Sequence, residues 1–168
     1  MRLTILQLAV VYGSGNPRNV GRLMRAIDQG RFIWIGTGSN KKSLIHHEDV
    51  GRAVVAVVMS PERGIHTYNV AAPPCAMREV VECLAAALGR PLPRIRIPAS
   101  LALGVARGAE LVTGGRGRIG QLHATVQKWL ADDVYDAGTF RQTFGFEPVV
   151  SLREGLQQEV DGYRQRPI

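Results

Sequence analysis

A chain of 168 residues with 45% hydrophobic side chains has the length of one domain and enough apolar surface for a core, which excludes a disordered segment. Its formal charge of +7 comes from 21 basic residues, of which only Lys41, Lys42 and Lys128 are lysine; they are scattered, without the dense basic arm that grips nucleic acid. Cys75 and Cys83 form no CxxC and have no second pair, which excludes a zinc knuckle or disulfide framework and suits reduced thiols in a cytoplasmic protein.

The arginine excess suits two-pronged contacts to phosphate or carboxylate, so an anionic ligand is one hypothesis and an arginine-rich genome the plain alternative. Leu3 to Val11 is an almost unbroken apolar run, as expected of a central parallel strand covered on both faces. A chain that opens with such a strand needs neighbours from elsewhere. The run carries one flanking charge, an internal Gln7 and no Ala-x-Ala site, so it does not read as a secretion signal. Gly13 to Pro17 breaks it. Asn19 then caps a helix with Val20, Leu23, Met24 and Ile27 inward and Gly30 as its stop. Phe32 to Ile35 is a short strand, and Gly36 to Lys42 follows as a loop. Its GxG has no third glycine and leads to a basic pair, not to a helix, so it reads as an ordinary loop.

Ser43 to Val58 gathers His46, His47, Glu48 and Asp49 ahead of an apolar run. Neighbours on an extended segment point to opposite faces, so these four cannot converge on one metal. The spacing instead makes Asp49 an N-cap, with Val50, Ala53, Val54, Val57 and Val58 on one buried helical face. Ile65 to Val70 reads as a strand. Ala76 to Leu88 is a helix with Met77, Val80, Val81, Leu84, Ala85 and Leu88 inward, and Arg94 to Ile97 alternates like an edge strand. Helical patterns run from Ala99 to Val112, too short to span a bilayer, and from Gln121 to Leu130. Between them, Gly114 to Arg118 reads as a loop with anion-facing arginines, since one glycine-arginine copy without aromatics is no RNA-binding tract. Ser151 and Glu154 form a capping box that starts a last helix with Leu152, Leu156, Val160 and Tyr163 inward. Alternating strands and helices imply an α/β fold.

Several local patterns occur together in one order: LQLAVVYGSG from Leu6, SLIHHEDVGRA from Ser43, TYNVA from Thr67, Leu88-Gly89-Arg90-Pro91, and GFEP from Gly145 before SLREGL from Ser151. The set resembles the carboxyl-terminal half of extended short-chain dehydrogenase/reductases, the NAD-dependent epimerase/dehydratase family. The resemblance implies one partial domain over residues 1–168: an incomplete Rossmann-type parallel sheet plus a small α/β substrate-binding lobe. Residues about 3–15, 44–59 and 65–71 would belong to the nucleotide lobe and the remainder mainly to the substrate lobe.

In that family a Gly-x-x-Gly-x-x-Gly turn after the first strand holds NAD or NADP, and a Tyr-x-x-x-Lys pair moves protons. Neither pattern is expected in this chain: it reads as lacking the glycine turn, and Tyr12, Tyr68, Tyr135 and Tyr163 precede Asn16, Ala72, Thr139 and Pro167 by four positions. The resemblance therefore implies a substrate-binding portion with no catalytic residue and no metal site, holding NAD or NADP only together with an absent amino-terminal half. Leu8 and Val11 would lie beside the nicotinamide. Asn19 would contact a substrate diphosphate, Lys42 stands where sugar-nucleotide members keep a phosphate-binding arginine, and Arg116 or Arg118 would be a second diphosphate ligand. The implied partners are a nucleotide-sugar or similar anionic small molecule and the missing half or a second copy, with no membrane. The alternatives are a small basic nucleic-acid-binding module, against which the scattered charge argues, and a non-catalytic interaction module.

Overall fold

The computed structural model describes residues 2–13, 19–113 and 122–165. In chain order these form β1 (Arg2–Leu8), β2 (Val10–Tyr12), α1 (Val20–Asp28), β3 (Trp34–Ile35), β4 (Lys41–Lys42), β5 (Leu44–His46), α2 (His47–Met59), β6 (Gly64–Val70), β7 (Cys75–Ala76), α3 (Met77–Leu88), β8 (Arg96–Ile97), α4 (Ala99–Thr113), α5 (Leu122–Leu130), α6 (Gly138–Phe144) and α7 (Leu152–Arg164). The class is α/β. The opening apolar run is one extended track with a break at Ala9: β1 pairs in parallel with β6, from Arg2 opposite Gly64 to Leu8 opposite Val70, and β2 pairs in parallel with β5. Two short pairs complete the strands, β3 parallel to β8 and β4 antiparallel to β7.

Apolar periodicity decides which helix faces turn inward. Met24 and Ile27 of α1, Val80, Val81, Leu84 and Leu88 of α3, and Leu156 and Val160 of α7 meet Tyr12, Phe32, Trp34 and Leu44 in one core. A second core joins Ala9, Ile45 and Ala53 to Tyr68 and Val70 of β6 and to the aromatic group Phe140, Phe144 and Phe146. Gly155 lets α7 come close at the seam. A β-carbon there would stand 2.7 Å from the Tyr12 hydroxyl and 3.0 Å from the His46 ring. The capping box is present: the Ser151 side chain accepts from the Glu154 amide at 3.2 Å and donates to its carboxylate at 2.9 Å.

Three expectations need correction. The first strand is not covered on both faces: Leu3 and Ile5 of β1 remain 42% and 45% exposed beside Ile65 of β6, because no element packs over that row among the described residues. Asp49 is not the helix cap. α2 begins at His47 with His46 in the extended cap position, so Asp49 lies inside the first turn, where a carboxylate still favours the helix dipole. Val54 and Val58 belong to the outer face of α2, while Ala53 alone of the apolar stripe is fully buried and Val50 and Val57 are half-buried.

The cleft beside the Gly36–Asn40 loop

Two glycines make the loop after β3 possible. Gly36 and Gly38 both have left-handed backbone, φ +70 and +69, which a side chain disfavours. A β-carbon on Gly38 would also lie 3.0 Å from the Trp34 ring and 3.3 Å from the Arg78 amide. The double turn aims the Thr37 carbonyl outward, where two arginines converge on it. Arg78 donates from Nε at 3.2 Å and Nη2 at 2.8 Å, and Arg96 donates from Nη1 at 3.2 Å. Arg96 reaches there from β8 across the Trp34 ring, its guanidinium 5.0 Å from the ring centre, a contact that fixes the fork's plane. The loop, Arg96 to Ala99 and Leu130 line a cleft of about 490 Å³. Two guanidinium groups on one neutral carbonyl leave an excess of positive charge at its edge, which favours an anion.

The loop's far end is structural. Asn40 donates to the Trp129 and Ala131 carbonyls, and the Lys42 ammonium donates to the Lys128 and Ala131 carbonyls at 3.0 and 2.8 Å, so together they cap the carboxyl end of α5. Burial lowers the Lys42 pKa from its ordinary value, partly offset by Asp133 and Asp132. Loop carbonyls also take the first amides of α3: Arg78 donates to Gly38 and Met77 to Asn40.

A second cluster lies behind β5. His46 is buried, and neither ring nitrogen finds a hydrogen-bond partner among the described residues. Desolvation lowers its pKa, followed by the charge of His47. The two histidine rings are 4.3 Å apart, nearer than alternating faces of a strand would place them, because the chain turns into α2 between them. No three His, Cys, Asp or Glu side chains gather into a metal site among the described residues. Asp49 is buried and accepts from the Val149 and Val150 amides at 3.1 Å each and from Arg52 at 3.0 Å. Buried Glu159 accepts from the Gly13 amide at 2.8 Å. A smaller cleft of about 350 Å³ runs between Tyr12, Cys75 and the Pro148 to Leu152 turn, where burial raises the Cys75 pKa to about 11.

The residues expected to bind ligands are therefore dispersed. Asn19 begins α1 at φ 36 with no side-chain cap bond, and its carbonyl, not its amide group, receives the Arg22 and Leu23 amides. Lys42 has its ammonium on the carbonyls of Lys128 and Ala131 and does not line the larger cleft. Leu8 ends β1, exposed, and Val11 sits in β2 against the second core. Arg116 and Arg118 lie outside the described residues. Arg78 and Arg96 were not singled out from sequence; the β3–β8 pairing brings Arg96 to the loop and the first turn of α3 brings Arg78, long-range contacts that no local pattern signals.

The model of the NAD dependent epimerase/dehydratase family matches residues 1–71. Over that segment the chain is similar to the family. The chain as a whole is 26% identical over 162 residues to N-acetyl-alpha-D-glucosaminyl-diphospho-ditrans,octacis-undecaprenol 4-epimerase of Escherichia coli O157:H7, covering 93% of this chain and 47% of that protein. It is 28% identical over 169 residues to 3beta-hydroxysteroid-dehydrogenase/decarboxylase isoform 1 of Arabidopsis thaliana, covering 91% and 38%. Its fold is similar to that of UDP-glucuronic acid 4-epimerase from Bacillus cereus, solved with UDP-glucuronic acid and NAD: TM-score 0.68 at 18% identity, covering 98% of this chain and 46% of that one. The chain spans about half the length, or less, of the curated relatives it matches.

Similarity to this family over residues 1–71 raises the question of the dinucleotide, whose phosphates need backbone amides at a glycine-rich helix start. The described residues do not fit that need. Gly36 and Gly38 lead into β4, and the first amides of α3 are already bonded to the loop. Gly114, Gly117 and Gly120 do have the Gly-x-x-Gly-x-x-Gly spacing, which corrects the expectation that the chain lacks it, but they follow α4, not a strand, and lie outside the described residues. No hydride-transfer step can be assigned to the described side chains.

Proposed function

We propose that this chain is the substrate-binding portion of an NAD(P)-dependent epimerase/dehydratase whose substrate carries a diphosphate, a nucleotide-sugar or a related sugar diphosphate. The observation that carries this reading is the convergence of Arg78 and Arg96 on the Thr37 carbonyl at the mouth of the larger cleft. Arg96 keeps donors beyond the one spent on Thr37, and its planar fork suits two phosphate oxygens. Arg116 and Arg118, between α4 and α5, are further candidates for the same diphosphate. Lys42 and Asn19 act by holding α5 and starting α1, while Leu8 and Val11 offer an apolar wall for the nicotinamide of a joined cofactor portion. Both the sugar-lipid epimerase and the steroid enzyme are relatives, so the cationic cleft is what favours the diphosphate.

The exposed row of Leu3, Ile5 and Ile65 supports a division of labour in which a dinucleotide-binding portion covers β1 and supplies NAD or NADP. Reduced cysteines favour a cytoplasmic setting. Incubation of the 168-residue chain with NAD and UDP-glucose or UDP-glucuronic acid should yield no product sugar by chromatography. Turnover by these residues alone would overturn the division.

A further inference from the structure

The outer face of α4 carries Leu101, Val105 and Leu111. Leu101 and Val105, one turn apart, are 57% and 61% exposed and Leu111 is 77% exposed, with Gly104 and Gly108 between them, whereas the inner face buries Ala106 and packs on α5. The segment leading into the helix continues the pattern: Ile95 is 79% exposed and lies between Arg94 and Arg96. Arg107 is exposed on the helix itself. From Leu92 to Leu111 the one acidic residue is Glu110, whose carboxylate turns toward His123 of α5 at 3.9 Å. Among the described residues the exposed strip is therefore mainly apolar and cationic, with Glu110, 43% exposed at its side chain, as the one carboxylate from Leu92 to Leu111.

We propose that this strip, from Arg94 through α4, docks the protein on an anionic membrane surface, with Ile95, Leu101, Val105 and Leu111 entering the headgroup boundary and Arg94 and Arg107 meeting lipid phosphates. Charge complementarity selects this occupant, since a second copy would bring the same arginines face to face. An interfacial helix combines an apolar face with flanking arginine or lysine and lies in the plane of the bilayer. α4 has 15 residues, about 22 Å of helix, too short to cross the hydrocarbon core, and no described helix is long and apolar enough to do so. The expectation of no membrane partner thus narrows to the absence of a span. The strip adjoins the larger cleft, because Arg96 and Ala99 belong to both, so a cleft substrate could be presented from the lipid side. The inference does not depend on the diphosphate reading.

Flotation of the intact chain with vesicles tests it. Phosphatidylcholine vesicles containing a third phosphatidylglycerol should bind roughly tenfold or more tightly than phosphatidylcholine alone, with the difference shrinking as salt is raised. The double substitution L101E and V105E should abolish flotation while leaving the melting transition in place, since both positions are exposed. R94Q with R107Q should remove the anionic preference, and V58E, on the separate apolar face of α2, should leave binding unchanged. Absence of anionic preference, flotation unaffected by L101E and V105E, or loss of flotation in V58E would each overturn the proposal. So would vesicle-independent dimers that the same double substitution converts to monomers, which would make the strip a contact between copies.

Discussion

Asp49 holds more of the structure than a cap would. Its carboxylate is buried and takes two amides from the turn before α7, with Arg52 supplying charge from one turn along α2. Replacing it with alanine leaves both amides without that acceptor, and Asp49→Ala should cost about 1–3 kcal/mol in urea denaturation. His46, next to it, sets a pH dependence. Its folded pKa lies below the ordinary 6.5 because burial disfavours the charged ring. Above that value both folded and unfolded chains are neutral at this position and it contributes no pH slope. Below it the unfolded chain takes up the proton first, so stability falls as pH drops toward the depressed folded pKa. Melting temperatures measured from pH 8 to pH 5 should decline for the native chain and decline less for His46→Phe; parallel curves would remove His46 as the cause.

The loop from Gly36 to Lys42 shows what local sequence can and cannot convey. Its glycines are legible as turn formers, but its role depends on β8, α3 and α5, which reach it from distant parts of the chain. Lys42 illustrates the consequence. A resemblance places it as a phosphate ligand, while its ammonium here closes the end of α5. Lys42→Met should therefore lower stability, by about 1 kcal/mol, more than it lowers ligand affinity; a large affinity loss with unchanged melting would return Lys42 to the ligand. The helices with strong apolar periodicity and end signals, α3 stopping at Gly89 and α7 starting at Ser151, were readable because caps and stripes are local properties. The start of α2 was not, since Asp49 satisfies a cap pattern while being claimed by the turn at Val149 and Val150.

On the scale of the molecule, the α/β class and a parallel setting for the opening strand follow from alternating elements and its apolar run, whereas its pairing with β6 does not. Which faces are covered does not follow from them. A continuous apolar run implies two covering layers, and the described residues do not provide both. The outer face of α2, with Val58 at 64% exposure, and the Leu3, Ile5 and Ile65 row leave large apolar side chains exposed. That surface and the lack of a described dinucleotide cradle are accounted for together if the chain works joined to a cofactor-binding portion. The ligand end of that account rests on the arginine-edged cleft. Its most direct test is titration calorimetry of the 168-residue chain with UDP-glucuronic acid. The account predicts salt-sensitive binding that Arg96→Gln weakens roughly tenfold, the loss expected for one charge-assisted contact. No binding, or equal affinity in the Arg96→Gln chain, would contradict it.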